Sequence, residues 1–264
     1  MRWGVACSAA MARTGGGRGD PGRHGDPGRH GDPDGRGGRG DTPRELPRSH
    51  RRAFVARHTR LREVDGVPGL RLYLADDVET LWPATEAALG IDGAPIPFWA
   101  FAWAGGLALA RHVLEHPEVV EGARVLDFAT GSGLVAIAAA RAGAAEVTAA
   151  DIDPFAEVAV ALNARANGVH VGYTGRDLLD GPPPAVDVLL VADTWYEGPL
   201  AERVLPWLRA AAASGIRVLV GDPGRRYLPE PAAAGLEELA RYEVRTTTVL
   251  EDRETVTSRV FRLS

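Results

Sequence analysis

A glycine-containing turn interrupts the hydrophobic segment "VLDFATGSGLVAIAA" at residues 125–139. Its central part, from Gly131 to Ala136, fits the G-x-G-x-x-G/A pattern of loops whose backbone approaches a nucleotide closely. Such a loop binds either a pyrophosphate, as in NAD or FAD, or another adenosine-containing cofactor. The acidic residues around the loop distinguish these two chemistries.

Asp127 argues against a pyrophosphate. It lies at the end of the preceding strand, four residues before Gly131, where a carboxylate would repel two phosphates but attract an ammonium group. Ala129 also stands where the first glycine of a dinucleotide loop would begin. S-adenosylmethionine (SAM) has no phosphate and carries an α-amino group and a sulfonium. The loop then needs glycine so that its backbone can approach the methionine moiety, and we predict that it binds SAM.

Two further carboxylates follow the next two predicted strands. Asp151 comes twenty-four residues after Asp127, the usual position of a carboxylate that binds ribose hydroxyls, in NAD and SAM sites alike. Asp177 could accept a hydrogen bond from the adenine amino group. Each could instead cap a helix or turn, but ligands of open α/β sheets bind beyond the carboxyl ends of the strands. We therefore predict one site for Asp127, Asp151, Asp177 and Asp193.

The elements that position these residues alternate between strands and helices. Near-continuous apolar strands separated by helices indicate a parallel sheet covered on both faces. The last two predicted strands are joined by only "EDRE", which is too short for a parallel crossover, so they must form an antiparallel hairpin. We predict strands at "ARVLDFA", "EVTAAD", "VHVGYT", "VDVLLVAD", "IRVLVGD", "EVRTTTVL" and "TVTSRVFRL", and a last helix at "AAAGLEELARY".

The chain divides into three parts. Residues 1–50 form a tail of Gly, Pro, Arg and Asp that includes "GDPGRHGDPGRHGDPDGRG", and such a segment is expected to be disordered because it has little apolar surface to bury. Residues 51–122 form an extension that packs on the core, with a helix at "RRAFVARHTRL", a small hairpin and two more helices. Residues 123–264 form the core.

Composition excludes several classes of protein. The single cysteine, Cys7, rules out disulfides and cysteine-based zinc sites, and the scattered histidines predict no metal site. No apolar run reaches the roughly 18 residues of a membrane span. The net charge of −5 gives no general attraction to nucleic acid. We expect a monomeric cytoplasmic protein that binds neither membranes nor nucleic acid.

With these residues in view, the sequence from about Arg51 onward resembles the seven-β-strand SAM-dependent methyltransferases, with a Rossmann-like class I fold. It is most similar to the lysine methyltransferases of the electron-transfer flavoprotein β-subunit and their bacterial relatives. The ordered set of motifs is more specific than the glycine loop alone: "PFWAFAWAGG", "VLDFATGSG", "ADIDPFA", "LNARANG", "ADTWYE" and "GDPGR". "WAGG" departs from the commoner Trp-Pro-Gly-Gly, and Ala129 from the usual first glycine.

The resemblance implies a role for each matching residue. Trp103 and the turn at Gly105 and Gly106 would cover the cofactor, and "DTWY" corresponds to a D-x-x-Y motif that faces the substrate. Asp193 and Tyr196 are the candidate catalytic residues, and Trp103 and Trp195 the candidate channel walls. The candidate cofactor-binding residues are Trp103, Gly106, Asp127, Ala129, Gly131, Gly133, Asp151, Ile152, Asp177 and Asp193. We assign Trp99 and Trp207 to core packing.

Methyl transfer from a sulfonium needs no metal and no covalent enzyme intermediate, and positioning can supply roughly 7–11 kcal/mol of the acceleration. A lysine nucleophile must first lose a proton, and an apolar aromatic channel favours this by lowering its pKa. A protein-lysine methyltransferase, acting on a substrate such as the flavoprotein β-subunit or a ribosomal protein, is therefore the leading hypothesis. The alternatives are an N-methyltransferase of a small, nicotinamide-like amine and a non-catalytic SAM- or NAD-binding module.

Overall fold

The protein, represented by a computed structural model, is described over residues 44–246 and 255–264. A seven-stranded sheet crosses this part of the chain in the order β5-β4-β3-β6-β7-β9-β8. Strands β3 to β7 are parallel, and β9 is antiparallel to both β7 and β8. The predicted α/β fold with an antiparallel C-terminal strand pair is therefore confirmed.

The strands are β1 (Arg60–Glu63), β2 (Arg71–Leu74), β3 (Arg124–Phe128), β4 (Glu146–Ala150), β5 (Gly172–Thr174), β6 (Val188–Ala192), β7 (Arg217–Asp222), β8 (Leu236–Arg245) and β9 (Thr255–Leu263). The helices are α1 (Arg48–His58), α2 (Val78–Leu89), α3 (Ala104–Glu115), α4 (Leu134–Arg141), α5 (Pro154–Ala166), α6 (Gly198–Ala213) and α7 (Pro231–Ala234).

Both faces of the sheet are covered, which explains why its central strands are apolar throughout. Along β3, Val125 packs into the cluster that contains α3 and α4, whereas the next residue, Leu126, packs into the cluster that contains α6. Strands β4 and β6 lie on either side of β3, so the strand order reverses there. This reversal opens a crevice at the carboxyl ends of the strands, where ligands of such sheets bind.

The N-terminal elements begin earlier than predicted. Helix α1 starts at Arg48 rather than near Arg51, and the Arg44 N–H donates to the Leu89 carbonyl at 2.9 Å. Residues 44–50 therefore contact the fold, although the sequence assigned them to the tail. Residues 1–43 of that tail lie outside the described residues. The predicted hairpin is present as β1 and β2, and α2 ends at Gly90 as predicted.

The helix predicted at residues 232–242 is wrong. Helix α7 ends at Ala234, and most of this segment belongs to β8. Leu, Glu, Ala and Arg favour helices locally, but tertiary pairing overrides such propensities: β8 pairs with β9 from Leu236 to Arg245. Tyr242 and Val244 then alternate with exposed residues, as on a strand with one buried face.

Helix α3 approaches β7 closely enough to require glycine at the contact. A Cβ atom added to Gly105 would lie 2.3 Å from the Gly221 carbonyl oxygen and 2.6 Å from Asp193 Oδ2. Gly106, the next residue of the helix, has more room, because its nearest side-chain neighbour would be 3.8 Å away. Gly105 therefore sets the distance between α3 and the strand ends that carry the acidic residues.

We predict that Gly105→Ala destabilises the protein by about 1–3 kcal/mol, the usual cost of overpacking a close contact. The matched control is Gly106→Ala, which introduces the same methyl group one residue later without a clash and gains helix propensity. Chemical denaturation of both variants measures the difference. Equal stability of the two would contradict the assigned contact.

Candidate active site

A cavity of about 260 Å³ lies in the crevice at the carboxyl ends of the strands. This is near the lower end of the range for small-molecule sites, about 300–1,000 Å³. Most of the site residues predicted from the sequence line it: Trp103, Gly106, Asp127, Ala129, Gly131, Asp151, Ile152, Asp177, Asp193 and Tyr196. Gly133 and Trp195 are not among its lining residues.

The glycine loop joins β3 to α4 through left-handed backbone. Ala129, Gly131 and Gly133 have φ angles of 54°, 52° and 83°, a region that glycine enters without steric cost. A Cβ on Gly133 would lie 3.1 Å from the Val160 side chain of α5. The structure thus places Gly133 in the packing of the loop against α5 rather than in the cavity wall, which corrects its predicted position.

The N–H groups of this loop are directed at protein acceptors. The Thr130 N–H donates to the Ala150 carbonyl at 3.0 Å, and the Gly133 N–H donates to the Thr130 carbonyl at 2.9 Å. The Gly131 N–H donates to Asp151 Oδ2 at 2.8 Å. A pyrophosphate would find none of these three donors available, whereas the methionine moiety of SAM needs no phosphate-binding amides.

Asp127 supplies a buried carboxylate below the loop. Its Oδ2 accepts hydrogen bonds from the Thr130 hydroxyl and from the Ala136 N–H, the latter at 3.0 Å. Burial raises the pKa of Asp127 to about 7, because removing a carboxylate from water disfavours its charged form. The ammonium group of a ligand would compensate this negative charge and donate hydrogen bonds to the carboxylate. Asp127 therefore fits the α-amino group of SAM.

Asp151 and Asp153 form a second acidic feature at the end of β4. Asp151 Oδ1 accepts from the Asp153 N–H at 2.9 Å, and Asp153 Oδ1 accepts from the Phe155 N–H at 2.8 Å as the N-cap of α5. Burial raises the pKa of Asp151. Burial, together with the charge of Asp151, raises the pKa of Asp153 to about 7. Asp153 lines the cavity but lies outside the set of residues predicted from the sequence, although its position just before Pro154 signals a helix cap.

Asp177 lies in the same cavity but has local partners. Its Oδ1 accepts from the Leu179 N–H at 3.0 Å and caps the short turn Leu178–Asp180, while its Oδ2 pairs with Arg203 at 3.1 Å. Asp177 therefore has the capping role that the sequence left open, and it also lines the cavity. Ile152, which is 53% exposed, offers an apolar surface to the same cavity.

Asp193 lies at the other end of the cavity, where α3 meets the end of β6. Its φ angle of 54° is unusual for a residue other than glycine. The Gly106 N–H donates to its Oδ2 at 2.8 Å. Arg225 donates to its Oδ1 through Nε at 3.0 Å and Nη2 at 2.7 Å. Asp193 therefore connects α3 to the turn after β7.

Aromatic residues surround this end of the cavity. The Tyr196 ring lies 4.9 Å from the ring of Phe98, and the Phe98 ring lies 5.4 Å from that of Trp103. The Trp103 Nε1–H donates to the Phe98 carbonyl at 3.0 Å. Phe98 and Arg225 lie outside the site predicted from the sequence, although Phe98 belongs to the motif "PFWAFAWAGG" and Arg225 to "GDPGR".

Trp195 does not form a channel wall, which corrects its predicted role. It is fully buried and packs in the cluster that contains Val191 of β6 and Val204 of α6. Tyr196, the next residue, turns toward the cavity instead. The core positions assigned to Trp99 and Trp207 are confirmed, since they are only 1% and 6% exposed.

Two further observations concern the described residues alone. No three of their His, Cys, Asp and Glu side chains are grouped so that they could hold a metal ion. Within the same ranges, no helix combines the length and apolar character needed to cross a membrane.

Comparison with known proteins finds relatives of this chain. Residues 108–191 match the family model described as "Ribosomal protein L11 methyltransferase (PrmA)". The electron transfer flavoprotein beta subunit lysine methyltransferase of Xenopus laevis is 34% identical over 211 residues, which cover 76% of this chain and 82% of that protein. The protein of the same name from Homo sapiens is 33% identical over 184 residues, covering 69% of this chain and 66% of that protein.

A solved ribosomal protein L11 methylase from Lactobacillus delbrueckii subsp. bulgaricus is 23% identical, with a TM-score of 0.45 over 62% of this chain and 81% of that chain. The strand order, the carboxylate-lined cavity and the sequence matches define a SAM-dependent methyltransferase. At 34% identity over most of both sequences, the chain belongs to the electron transfer flavoprotein β-subunit lysine methyltransferase family.

We predict that binding of S-adenosylhomocysteine weakens as the pH falls from 8 to 6. Below its pKa of about 7, Asp127 is protonated in the free protein and no longer attracts the ligand's ammonium group. The dissociation constant then rises by up to about tenfold per pH unit. Isothermal titration calorimetry at several pH values measures this dependence.

Asp127→Asn should bind more weakly at pH 8 and should lose this component of the pH dependence. Asp187→Asn is the control, because Asp187 is an exposed partner of Arg124 outside the cavity. A pH dependence in Asp127→Asn as steep as in the wild type would remove Asp127 from the ammonium site.

Proposed function

We propose that this enzyme methylates the ε-amino group of a lysine side chain in a protein substrate. The observation that carries the proposal is the end of the cavity formed by Asp193, Tyr196, Phe98 and Trp103. It places a carboxylate that can accept a hydrogen bond beside aromatic rings, which attract an incoming ammonium group through cation–π contact. The lysine methyltransferases to which the chain is similar support the same acceptor.

Asp127, Asp151, Ile152 and Asp177 would hold the cofactor, with Asp127 at the amino group and Asp151 at the ribose. SAM supplies, when bound, an electrophilic methyl group on a sulfonium. A lysine nitrogen that has lost its ammonium proton to solvent would take this methyl group, and the electron pair of the C–S bond would remain on sulfur.

The chain's own contribution is to deprotonate and align the amine. A lysine begins near a pKa of about 10.4, and aromatic walls lower that pKa because they replace water around the charge. Tyr196 and Trp103 would form these walls. Asp193, held in place by Gly106 and Arg225, would accept a hydrogen bond from the amine and orient its lone pair. Alignment of this kind provides much of the acceleration of two-substrate reactions.

The electron transfer flavoprotein β-subunit is the first candidate substrate, because relatives that are 34% and 35% identical to this chain are named for its methylation. A ribosomal protein is the second, because the Bordetella parapertussis ribosomal protein L11 methyltransferase is 32% identical over 173 residues. A small nicotinamide-like amine remains the alternative in the same cavity. We also propose that the enzyme acts as a monomer in the cytoplasm, without a nucleic-acid or membrane partner.

The direct test incubates the enzyme with radiolabelled SAM and, in separate reactions, the host's flavoprotein β-subunit, its ribosomal protein L11 and nicotinamide. Label recovered in methyl-lysine after acid hydrolysis supports the proposal. The enzyme contains no lysine, so such label must come from the substrate. Label in nicotinamide with none in either protein would establish the small-molecule alternative instead.

We predict opposite effects for substitutions at the two ends of the cavity. Asp193→Asn should keep the SAM dissociation constant within a few-fold while turnover falls by about 10²-fold or more, the scale for loss of an orienting or proton-handling group. Asp151→Ala should weaken SAM binding first. Calorimetry and steady-state kinetics separate the two effects.

Equal loss of SAM affinity in both variants would place Asp193 in the cofactor site, for which it is also a candidate by sequence. Full activity of Asp193→Asn would remove Asp193 from the mechanism.

A further inference from the structure

The "GDPGR" segment, Gly221 to Arg225, has no role in the proposed function beyond its position after β7. We propose that Arg225 is a positioning residue that holds Asp193 and keeps the acceptor amine in its neutral, nucleophilic form. This inference rests on the proposed function, because it concerns the amine that would be methylated. It goes further by assigning to one arginine the charge balance at the acceptor end of the cavity, which is formed by Asp193, Tyr196, Phe98 and Trp103.

The geometry of Arg225 is set by the turn that carries it. Asp222 Oδ1 accepts hydrogen bonds from the Gly224 and Arg225 N–H groups, each at 2.7 Å. Asp222 is fully buried at the end of β7, so the backbone of Arg225 is anchored to the sheet. The Arg225 side chain reaches from this anchor into the cavity wall.

The guanidinium contacts two residues of the acceptor end. It donates two hydrogen bonds to Asp193 Oδ1, and its central carbon lies 5.6 Å from the ring centroid of Trp103. The side chains of Arg225 and Asp193 are only 16% and 13% exposed. An ion pair shielded from water to this degree is screened far less than a surface pair. The charge of either side chain therefore acts strongly on a group bound beside it.

The charge balance determines the protonation of a bound amine. A carboxylate alone at this position would stabilise an ammonium ion and raise its pKa, leaving less of the neutral nucleophile. Arg225 offsets that carboxylate through Oδ1, which accepts the two guanidinium hydrogen bonds, while Oδ2, which accepts the Gly106 N–H, can still accept a hydrogen bond from the amine. The guanidinium thereby preserves the orienting contact without favouring the unreactive ammonium form.

Other charged groups lie around the turn that carries Arg225 and along the cavity, and they define the controls. Burial, together with the charge of Asp193, raises the pKa of Asp222 to about 7. Arg259 of β9 lies beside Gly224 of the same turn. The titratable and charged groups around the acceptor end and the adjoining cavity are Asp127, Asp151, Asp153, Arg176, Asp177, Tyr196, Arg203, Asp222 and Arg259.

The test compares Arg225→Gln, which removes the positive charge, with Arg225→Lys. The lysine keeps the charge but lacks the planar guanidinium that donates two hydrogen bonds to one carboxylate. The pH dependence of kcat is measured between pH 6.5 and 10 on the acceptor that the wild type methylates. We expect the midpoint of the rise in kcat to move up by about one pH unit in Arg225→Gln. In Arg225→Lys, kcat falls but the midpoint stays in place.

A second readout needs no acceptor. SAM is a cation at sulfur and S-adenosylhomocysteine is not, so the ratio of their dissociation constants reports the charge at this end of the cavity. We expect Arg225→Gln to shift this ratio toward SAM by about fivefold and Arg225→Lys to leave it unchanged. Asp222→Asn, which retains the Oδ1 acceptor, checks that titration of Asp222 does not produce the shift in midpoint.

Each outcome is decisive. A fall in kcat in Arg225→Gln with neither the midpoint nor the ratio changed would reduce Arg225 to a structural role and overturn the proposal. A shift in either measurement in Arg225→Lys equal to that in Arg225→Gln would also overturn it. If thermal denaturation shows that Arg225→Gln is unfolded, Arg225→Met replaces it as the uncharged variant: a midpoint about one pH unit higher, with the ratio shifted toward SAM, supports the proposal, and unchanged values of both overturn it.

The wild-type reaction keeps the two proposals separate. Absence of lysine methylation by the wild type would overturn the proposed function, and the ratio of dissociation constants would still decide the charge-balancing role of Arg225. Lysine methylation by the wild type together with unchanged measurements in Arg225→Gln would overturn the role of Arg225 alone.

Discussion

At the carboxyl edge of the sheet, aspartates accept hydrogen bonds from backbone N–H groups of the segments that cover the strand ends. Such bonds to an ionised acceptor are short, strong and directional. They connect Asp127 to Ala136, Asp151 to Gly131, Asp193 to Gly106, and Asp222 to Gly224 and Arg225. The same carboxylates that give the cavity its negative charge therefore hold its loops in place.

This arrangement has an energetic cost in the absence of ligand. Burial raises the pKa values of Asp127, Asp153 and Asp222 to about 7, so ionising them destabilises the folded protein relative to the unfolded chain. Their contribution to the free energy of unfolding is greatest below the pKa of about 4 that they have in the unfolded chain. This contribution is lost as the pH rises through 7. A cationic ligand offsets this cost where it meets Asp127, which couples binding to the stability of the site.

The sequence predicts the central sheet well because its strands are buried on both faces and therefore read as apolar runs. It also predicts the acidic strand ends, because parallel strands bring their carboxyl ends to one edge. Prediction from the sequence was wrong where tertiary contacts determine the local structure. The segment from Leu236 to Tyr242 has helical propensity but pairs with β9, and Trp195 is buried against residues of β6 and α6 that lie apart from it in sequence. Arg225 could be found only once the partner of Asp193 was visible.

The position of β9 between β7 and β8 also bears on how the protein forms during synthesis. In the described part of the chain β8 joins the sheet through β9, although β9 follows it in sequence. A nascent chain emerging from the ribosome can therefore assemble β3 to β7 before β8 has a partner. The backbone edge of β7 stays open until residues 255–263 arrive. Completion of this edge is a late event in biogenesis, and the open edge is the surface that a chaperone must protect from intermolecular strand pairing.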